Sequence, residues 1–353
     1  MKMQTLTNLE RVMKAVHRQE PDMVPTFELD IDTRIIEALK PGATYEDFIE
    51  YMDLDAVCYH ELKTDHFEVL DEAKGLVRDQ WGAIMKYSGV SRTIPMVLEP
   101  AIKSREDLAK YVPPDPDRPL RFKQLEETVK RFKGKRAIIS VVRPFATIFG
   151  SLRNQDELLK DMIRDPEMVE GLNVITSNYY KRYTKNLIDV GADIIIETAD
   201  WAFTNGPMAS PKHVARYIIP GFKEVVDYCH SRNIPCIKHT DGNIWTIFDL
   251  IVEAGADGVH PIDPLAGMDL GEAKARYGDR VCIMGNVDCG KLLSWGTKEE
   301  VRESVKDCIR KAGKGGGYIC MSSNSIHGAV NPDNFAEMIR AVREYGKYPL
   351  SLA

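Results

Sequence analysis

Residues 234–244, IPCIKHTDGNI, pass from an apolar run straight into Lys238, His239, Thr240, Asp241 and Asn243. Neutral imidazole and carboxylate are both good zinc ligands, and a histidine and an aspartate two positions apart at a strand end can grip one ion. The same pair also fits a strand-terminal histidine bonded to a helix-capping aspartate. His-x-Asp lacks the specificity of a four-cysteine zinc pattern, so the spacing leaves both readings open. Other apolar runs end in polar residues too. Glu197 and Asp200 close GADIIIETADWAF, where they would complete a metal shell or serve as base and orienting group; the plainer role for Asp200 is to cap a loop. Glu28, Asp30 and Asp32 follow VPTF, and carboxylates gathered from neighbouring strand ends repel one another unless a cation or a cationic substrate sits among them. Arg143, ending AIISVV, is the clear positive group, able to hold a substrate carboxylate bidentately or to pair with one of these acids. His260 and Asp263 end GADGVHPID, Asn286 and Asp288 end RVCIMGNVD, and Ser322, Ser323 and Asn324 follow GGGYICM. No G-x-S-x-G elbow is present, so no Ser-His-Asp arrangement is legible.

These residues need a scaffold that brings strand ends together. Apolar runs near 24–28, 55–60, 137–142, 193–197, 235–239, 257–260, 281–285 and 317–321 read as strands, most of them followed by an amphipathic pattern. Continuous apolar strands alternating with helices indicate a parallel sheet buried on both faces. With right-handed crossovers, the expected fold is a closed (β/α)8 TIM barrel forming one domain over 1–353, and an open doubly wound sheet is the alternative. No G-x-G-x-x-G follows the first strand, and the GKGGG run at 313–317 precedes a strand, which makes it a turn. Ahead of the barrel, Thr7 and Glu10 form a capping box that opens an N-terminal helical extension with Leu9, Val12, Met13 and Val16 on one face. Residues 67–99 alternate apolar and polar around Gly75, Gly82 and Gly89, predicting a small β-hairpin insertion or antiparallel excursion over the pocket mouth.

The composition is that of an ordinary globular protein, 44% hydrophobic and 28% charged. A net charge of −6 and the lack of a Lys/Arg stripe argue against nucleic acid. No apolar run approaches the roughly 20 residues of a membrane span, and the N-terminus does not read as a signal peptide. Seven cysteines without close pairs indicate reduced thiols, hence a cytoplasmic location. Cys58, Cys236, Cys282 and Cys320 sit in apolar runs, with Cys320 near enough to a strand end to be a spare metal ligand; Cys289 reads as an exposed loop thiol, and His327 as a loop-stabilising residue.

The segments GADIIIETADWAFTNGP, KHTDGN, GVHPID, MGNVD and YICMSSNSIHGAVNPDNF, with LERVMKAVHRQEPDMVP at the start, resemble the uroporphyrinogen decarboxylase superfamily. The resemblance covers nearly the whole chain and implies a (β/α)8 barrel. It also implies a choice between two chemistries. The decarboxylase branch holds a polycarboxylate tetrapyrrole through arginines near the N-terminus, where this chain reads FELDIDTR. It closes on G-H-G-I, where this chain reads SNSI and places Asn324 at the histidine position. The other branch, the cobalamin-dependent methyltransferases, has a zinc site of H-x-C and a later Cys. Here His239-x-Asp241 matches the first pair with Asp in place of Cys, and the later Cys again falls near Asn324.

The resemblance therefore implies a corrinoid-dependent methyltransferase acting on a small methoxylated or methylated donor. Zinc would be held by His239 and Asp241 with Asp200 as the third ligand (Glu197 and Cys320 being the other candidates), and Glu197 and Asp200 would be catalytic. Glu28, Arg143, His260, Asn286 and Asn324 would line the substrate pocket. No cobalamin-binding D-x-H-x-x-G is present, so the cobalamin is expected on a separate corrinoid protein. A decarboxylase, a metal-assisted enzyme without a corrinoid, and a non-catalytic tetrapyrrole- or corrinoid-binding protein are the alternatives.

Overall fold

A computed structural model describes residues 6–60, 67–87 and 95–351. The apolar runs align as one parallel sheet in the order β1 (Ala56–Tyr59), β6 (Ala137–Val142), β7 (Ile194–Thr198), β10 (Cys236–His239), β11 (Gly258–His260), β12 (Cys282–Met284) and β13 (Tyr318–Ile319). Every pairing between these neighbours is parallel. Strands bonded on both sides and covered on both faces bury every position, as β6 and β10 do, so they are largely apolar.

The run 24–28, expected as a first strand, is not a regular one. It fills the gap between β13 and β1 all the same: Cys320 donates its N–H to the Pro25 carbonyl at 3.0 Å, and Asp55 to the Thr26 carbonyl at 2.8 Å. Pro25 has no N–H, and that of Thr26 goes to the Asp55 side chain at 2.8 Å instead of to a neighbouring strand. Side chains therefore stand in for part of a ladder at the eighth position, and the sheet closes as a (β/α)8-type barrel. Arg11 holds the junction from below, bonded to Asp55 at 2.5 Å and Asp22 at 2.8 Å.

Period two along each strand sorts two cores. Cys58, Ile139, Ile194, Ile196, Ile237, Cys282 and Met284 fill the barrel interior. Val57, Ile138, Ile195, Cys236, Val259 and Ile283 face the surrounding helices. The helix Asn8–Val16 opens with the expected Thr7–Glu10 capping box, and Val12, Ala15 and Val16 join the interior cluster. With Leu9 bonded to the Lys135 carbonyl just ahead of β6, this helix plugs the N-terminal end of the barrel and leaves the C-terminal end for chemistry.

The segment after β1 is an antiparallel excursion of more than one hairpin. Strands β2 (Glu68–Asp71), β3 (Leu76–Arg78), β4 (Ile84–Lys86) and β5 (Met96–Glu99) form a four-stranded antiparallel sheet, while residues 88–94 of the expected insertion lie outside the described residues. It is tied to the loop after β6, with Ser151 Oγ donating to Asp79 at 2.6 Å and Ala101 N–H to the Ser151 carbonyl at 2.9 Å. The amphipathic pattern after Asn243 becomes helical only at Phe248–Glu253. A two-stranded ribbon, β8 (Ala202–Phe203) with β9 (Gly206–Pro207), forms the loop after β7. Among the described residues no helix is long and apolar enough to cross a membrane.

Candidate metal centre

The register of the sheet sets His239 abreast of Thr198 on β7 and His260 on β11. Ile196 and Ile237 point into the barrel, so Thr198 and His239, two positions on, also point inward at the mouth. The loops that leave β7 and β10 add Asp200 and Asp241. Nε2 of His239 lies 3.8 Å from an Oδ1 of each, and the three potential ligand atoms lie within 4.8 Å of one another. Tetrahedral zinc with bonds of about 2 Å holds its ligands roughly 3.3 Å apart, so small side-chain adjustments bring these three atoms onto one ion.

The hydrogen bonds fix the chemical state of His239. Nε2 of His260 lies 3.3 Å from the carbonyl oxygen of Ser322, which can only accept, so that nitrogen carries the proton. Nδ1 of His260 is then an acceptor, and it faces Nδ1 of His239 at 2.8 Å, which must donate. Nε2 of His239 is left with a lone pair turned toward Asp200 and Asp241. Burial, with the nearby charges of Lys238, His60 and Arg143, drops His239 to about 3. Burial and then His239 itself hold His260 well below its ordinary value. Both rings are neutral across the physiological range.

A lone pair facing two carboxylates is repulsive until a cation or a proton comes between them. At 3.8 Å the gap is too long for a hydrogen bond. Oδ1 of Asp241 is buried without a hydrogen-bond partner, while its Oδ2 accepts from Asn324 Nδ2. Burial, followed by the charges of Asp200 and Asp263, raises the Asp241 carboxyl to about 8. Asp200 is exposed on the solvent side, and its Oδ1 accepts the Asp241 N–H at 3.0 Å. One neutral imidazole and two carboxylates, one of them with an orphaned oxygen, form a donor set that suits a divalent cation.

Of the other residues expected at the site, Asn324 is in it, bound to Asp241, and Arg143 faces it. His260 belongs to it through His239, as the partner that sets its tautomer. Three expected residues turn elsewhere. Glu197 alternates with inward Ile196 and so points to the helix layer, where Lys238 Nζ meets its Oε2 at 2.5 Å; both side chains are fully buried. Lys238 also donates to the carbonyls of Ala199 and His239, each at 2.8 Å, and stands 3.9 Å from the Trp201 ring centre. Asn286 follows Gly285, whose φ of +117° breaks the strand alternation, and its amide binds the Ile262 carbonyl at 2.6 Å and contacts Cys308 on the outer helix layer. Glu28 is sealed behind the site, accepting the Ser322 N–H at 3.0 Å and its hydroxyl at 2.5 Å, and burial lifts its carboxyl to about 8. Cys320 packs outward beside Tyr318, away from the triad. Cys289 is buried, not exposed, and bonded to Ser323.

Ser322 and Lys238 carry no assigned role in the sequence reading, yet each acts on the site: Ser322 links Glu28 to His260, and Lys238 ties the carbonyls of Ala199 and His239. The signal for Ser322 was present in its position at a strand end. Lys238, directly after the apolar Cys236 and Ile237, is the signal for a buried ion pair with another strand. A groove of about 800 Å³ lies on the helix side, lined by Asp117, Phe122, Lys181 and Asp189 among others, and includes none of the strand-end residues.

The family model for uroporphyrinogen decarboxylase (URO-D) matches residues 79–345. The chain is 26% identical over 262 residues to the uroporphyrinogen decarboxylase of Pelodictyon phaeoclathratiforme, covering 70% of this chain and 71% of that protein. Against the enzyme of the same name from Chlorobium chlorochromatii it is 27% identical over 262 residues, with the same coverage of 70% and 71%. Among solved structures, a methyltransferase from Methanosarcina mazei matches with a TM-score of 0.72 over 96% of this chain and 99% of that one, at 17% identity, a likeness of fold. Since the family match runs from the antiparallel excursion to the last barrel helix, this chain belongs to the uroporphyrinogen decarboxylase (URO-D) family.

Proposed function

We propose that the protein is a metal-assisted methyltransferase that takes a methyl group from a small methoxylated or methylated donor and passes it to a corrinoid held by a separate protein. The observation that carries this reading is the fixed lone pair of His239 facing Asp200 and the unpartnered Oδ1 of Asp241. His239, Asp200 and Asp241 would hold the ion, zinc being the one this donor set suits. Zinc there supplies Lewis acidity to the heteroatom that carries the methyl, and the corrinoid supplies the nucleophile. Two carboxylates donate less charge than two thiolates, which favours an oxygen-bearing donor over a thiol. The remaining groups belong to the chain itself. His260 keeps Nε2 of His239 free of a proton, and Asn324 engages Oδ2 of Asp241 so that Oδ1 stays turned to His239.

Phe203, Leu265 and Trp295 are exposed on the loops after β7, β11 and β12, at the same end of the barrel as the triad. An apolar rim there suits a protein that must bring a bulky cofactor to the mouth. The fold likeness to the Methanosarcina mazei methyltransferase supports the same reading. The decarboxylase reading finds less support, because Arg34, the arginine of FELDIDTR, is already bound to Asp32 through two bonds of 3.0 and 2.9 Å. The test is to incubate zinc-loaded protein with cob(I)alamin and a panel of methoxylated aromatics and methylamines, following methylcobalamin by absorbance. Methylcobalamin formed by the wild type and lost in His239→Ala is the expected result. None formed from any donor would overturn the proposal, and CO2 release from uroporphyrinogen would put decarboxylation in its place.

A further inference from the structure

Arg143 stands one residue beyond the pair Val142↔Glu197, and Glu197 in turn pairs with Lys238. The next layer toward the mouth is therefore Arg143, Thr198, His239 and His260. Val141 belongs to the interior cluster and Val142 to the outer one, so alternation sends Arg143 inward, like His239. With adjacent strands about 4.8 Å apart, the backbones of Arg143 and His239 are roughly 10 Å apart across the mouth.

Arg143 is half-buried, and among the described residues no hydrogen bond or ion pair engages its guanidinium. Two other shielded arginines here are ion-paired: Arg153 holds Asp161 at 2.8 Å, and Arg302 holds Glu337 and Glu344, each at 2.7 Å. Among the described residues, four acids of the neighbouring strand ends have partners of their own. Glu197 turns outward to Lys238, Asp200 and Asp241 turn to His239, and Asp263 accepts the N–H groups of Gly242 and Leu265 at 3.2 and 2.9 Å. A dication between Asp200 and Asp241 would cancel their two charges, so that neither would compensate Arg143. A half-buried, unpaired guanidinium is free to take up a ligand, and its planar fork matches a carboxylate.

We propose that Arg143 is the anchor for an anionic group of the substrate, and that the donor is accordingly a methylated carboxylate, with its methyl-bearing atom toward His239 and its carboxylate on Arg143. This rests on the methyltransferase reading for the word donor, but the anion site itself does not. A cationic methylamine is disfavoured by the same charge, and a neutral ether leaves the guanidinium unpaired.

The test measures equilibrium binding to the zinc-loaded protein by titration calorimetry, using matched pairs of one shape and two charges: 4-methoxybenzoate with 4-methoxybenzamide, and methoxyacetate with methoxyacetamide. At least one carboxylate is expected to bind wild type about 10- to 100-fold more tightly than its amide, the range of one hydrogen bond to a charged group. Arg143→Gln should remove that preference while leaving zinc content and thermal midpoint unchanged, and Arg143→Lys should restore part of it. If no carboxylate binds more tightly than its amide, or if Arg143→Gln keeps the preference within about twofold, the proposal is overturned. Methyl transfer to cob(I)alamin, run in parallel, separates the two claims. Equal transfer from amide and acid sinks the Arg143 anchor and keeps the methyltransferase. Binding of acid that depends on Arg143, with no methylcobalamin, does the reverse.

Discussion

The imidazoles of His239 and His260 share a hydrogen bond between their two Nδ1 atoms, 2.8 Å apart. Such a bond needs one ring to donate and the other to accept, and the carbonyl of Ser322 at Nε2 of His260 decides which. The result is a histidine held in a single tautomer with Nε2 open toward two carboxylates. Outer partners of this kind orient a metal ligand and raise its basicity.

His260→Ala should therefore weaken zinc binding by about 10- to 100-fold without removing a ligand, because the freed Nδ1 of His239 no longer dictates which nitrogen is bare. Competition with a chromophoric chelator reads the affinity. A variant that folds and binds zinc as wild type does would leave His260 as a packing residue only.

Zinc affinity should also depend on pH through Asp241. In the metal-free protein this carboxyl titrates near 8, and His239 near 3. Metal must displace one proton below pH 8 and none above it, so affinity should climb about tenfold per unit from pH 6 to 8 and then level off. Asp241→Asn should flatten the slope. Folding follows the opposite course. The carboxyl is raised from an unfolded value of 3.8, so the native state keeps a proton that the unfolded chain has lost. The contribution is full below pH 3.8 and fades as pH rises toward 8. Urea midpoints of metal-free wild type should fall relative to Asp241→Asn over that window; parallel curves would contradict the assignment.

How much of this was legible in the sequence follows from what each signal can carry. Seven barrel strands were readable because a strand buried on both faces is a short apolar run with an abrupt polar end, as IIIET and PCIKH are. That same property hides which face a residue occupies. Glu197 and His239 both end such runs, yet one points to the helices and the other into the mouth, and with both faces apolar no alternation betrays the difference. Glu28 and Asn286 were misplaced for related reasons. Pro25 keeps the first segment from a regular strand, and Gly285 turns the chain before Asn286. His260 was expected to meet substrate, whereas the strand register sets it directly beside His239, a relation between two strands that no single run contains.

Lys238 and Glu197 make a prediction about stability rather than chemistry. Both side chains are fully buried and bonded at 2.5 Å, and Oε1 of Glu197 has no second partner. Removing one member leaves a buried charge unpaired, which costs about 3–5 kcal/mol. Lys238→Met should lower the urea-derived stability by that order, and the double variant with Glu197→Gln should recover much of the loss. Additive losses would mean that the two groups do not act as a pair. Zinc affinity in Glu197→Gln should stay near wild type, since Glu197 is on the far side of the sheet from the triad.

Gly242 tests whether the loop itself sets the ligand geometry. Its φ is +89°, a region that side chains avoid, and a Cβ there would lie 2.7 Å from the backbone carbon and oxygen of Ala202 and from the carbonyl oxygen of Phe203. Those atoms belong to the ribbon after β7, and Asn243 donates its N–H to the Phe203 carbonyl at 2.9 Å. The β7 loop, which carries Asp200, and the β10 loop, which carries Asp241, are therefore pressed together at a point only glycine allows. Gly242→Ala must push them apart, at a cost of about 1–3 kcal/mol from backbone strain. Asp200 and Asp241 move apart with them, so zinc affinity should fall even though every ligand is still present. Gly267→Ala is the control. Its φ is also positive, at +73°, but a Cβ there meets nothing within 4 Å. If both variants lose stability while only Gly242→Ala loses zinc, the contact between the loops is what holds the two carboxylates in reach of His239. Equal zinc affinity in the two would show that the ligands find the ion without it.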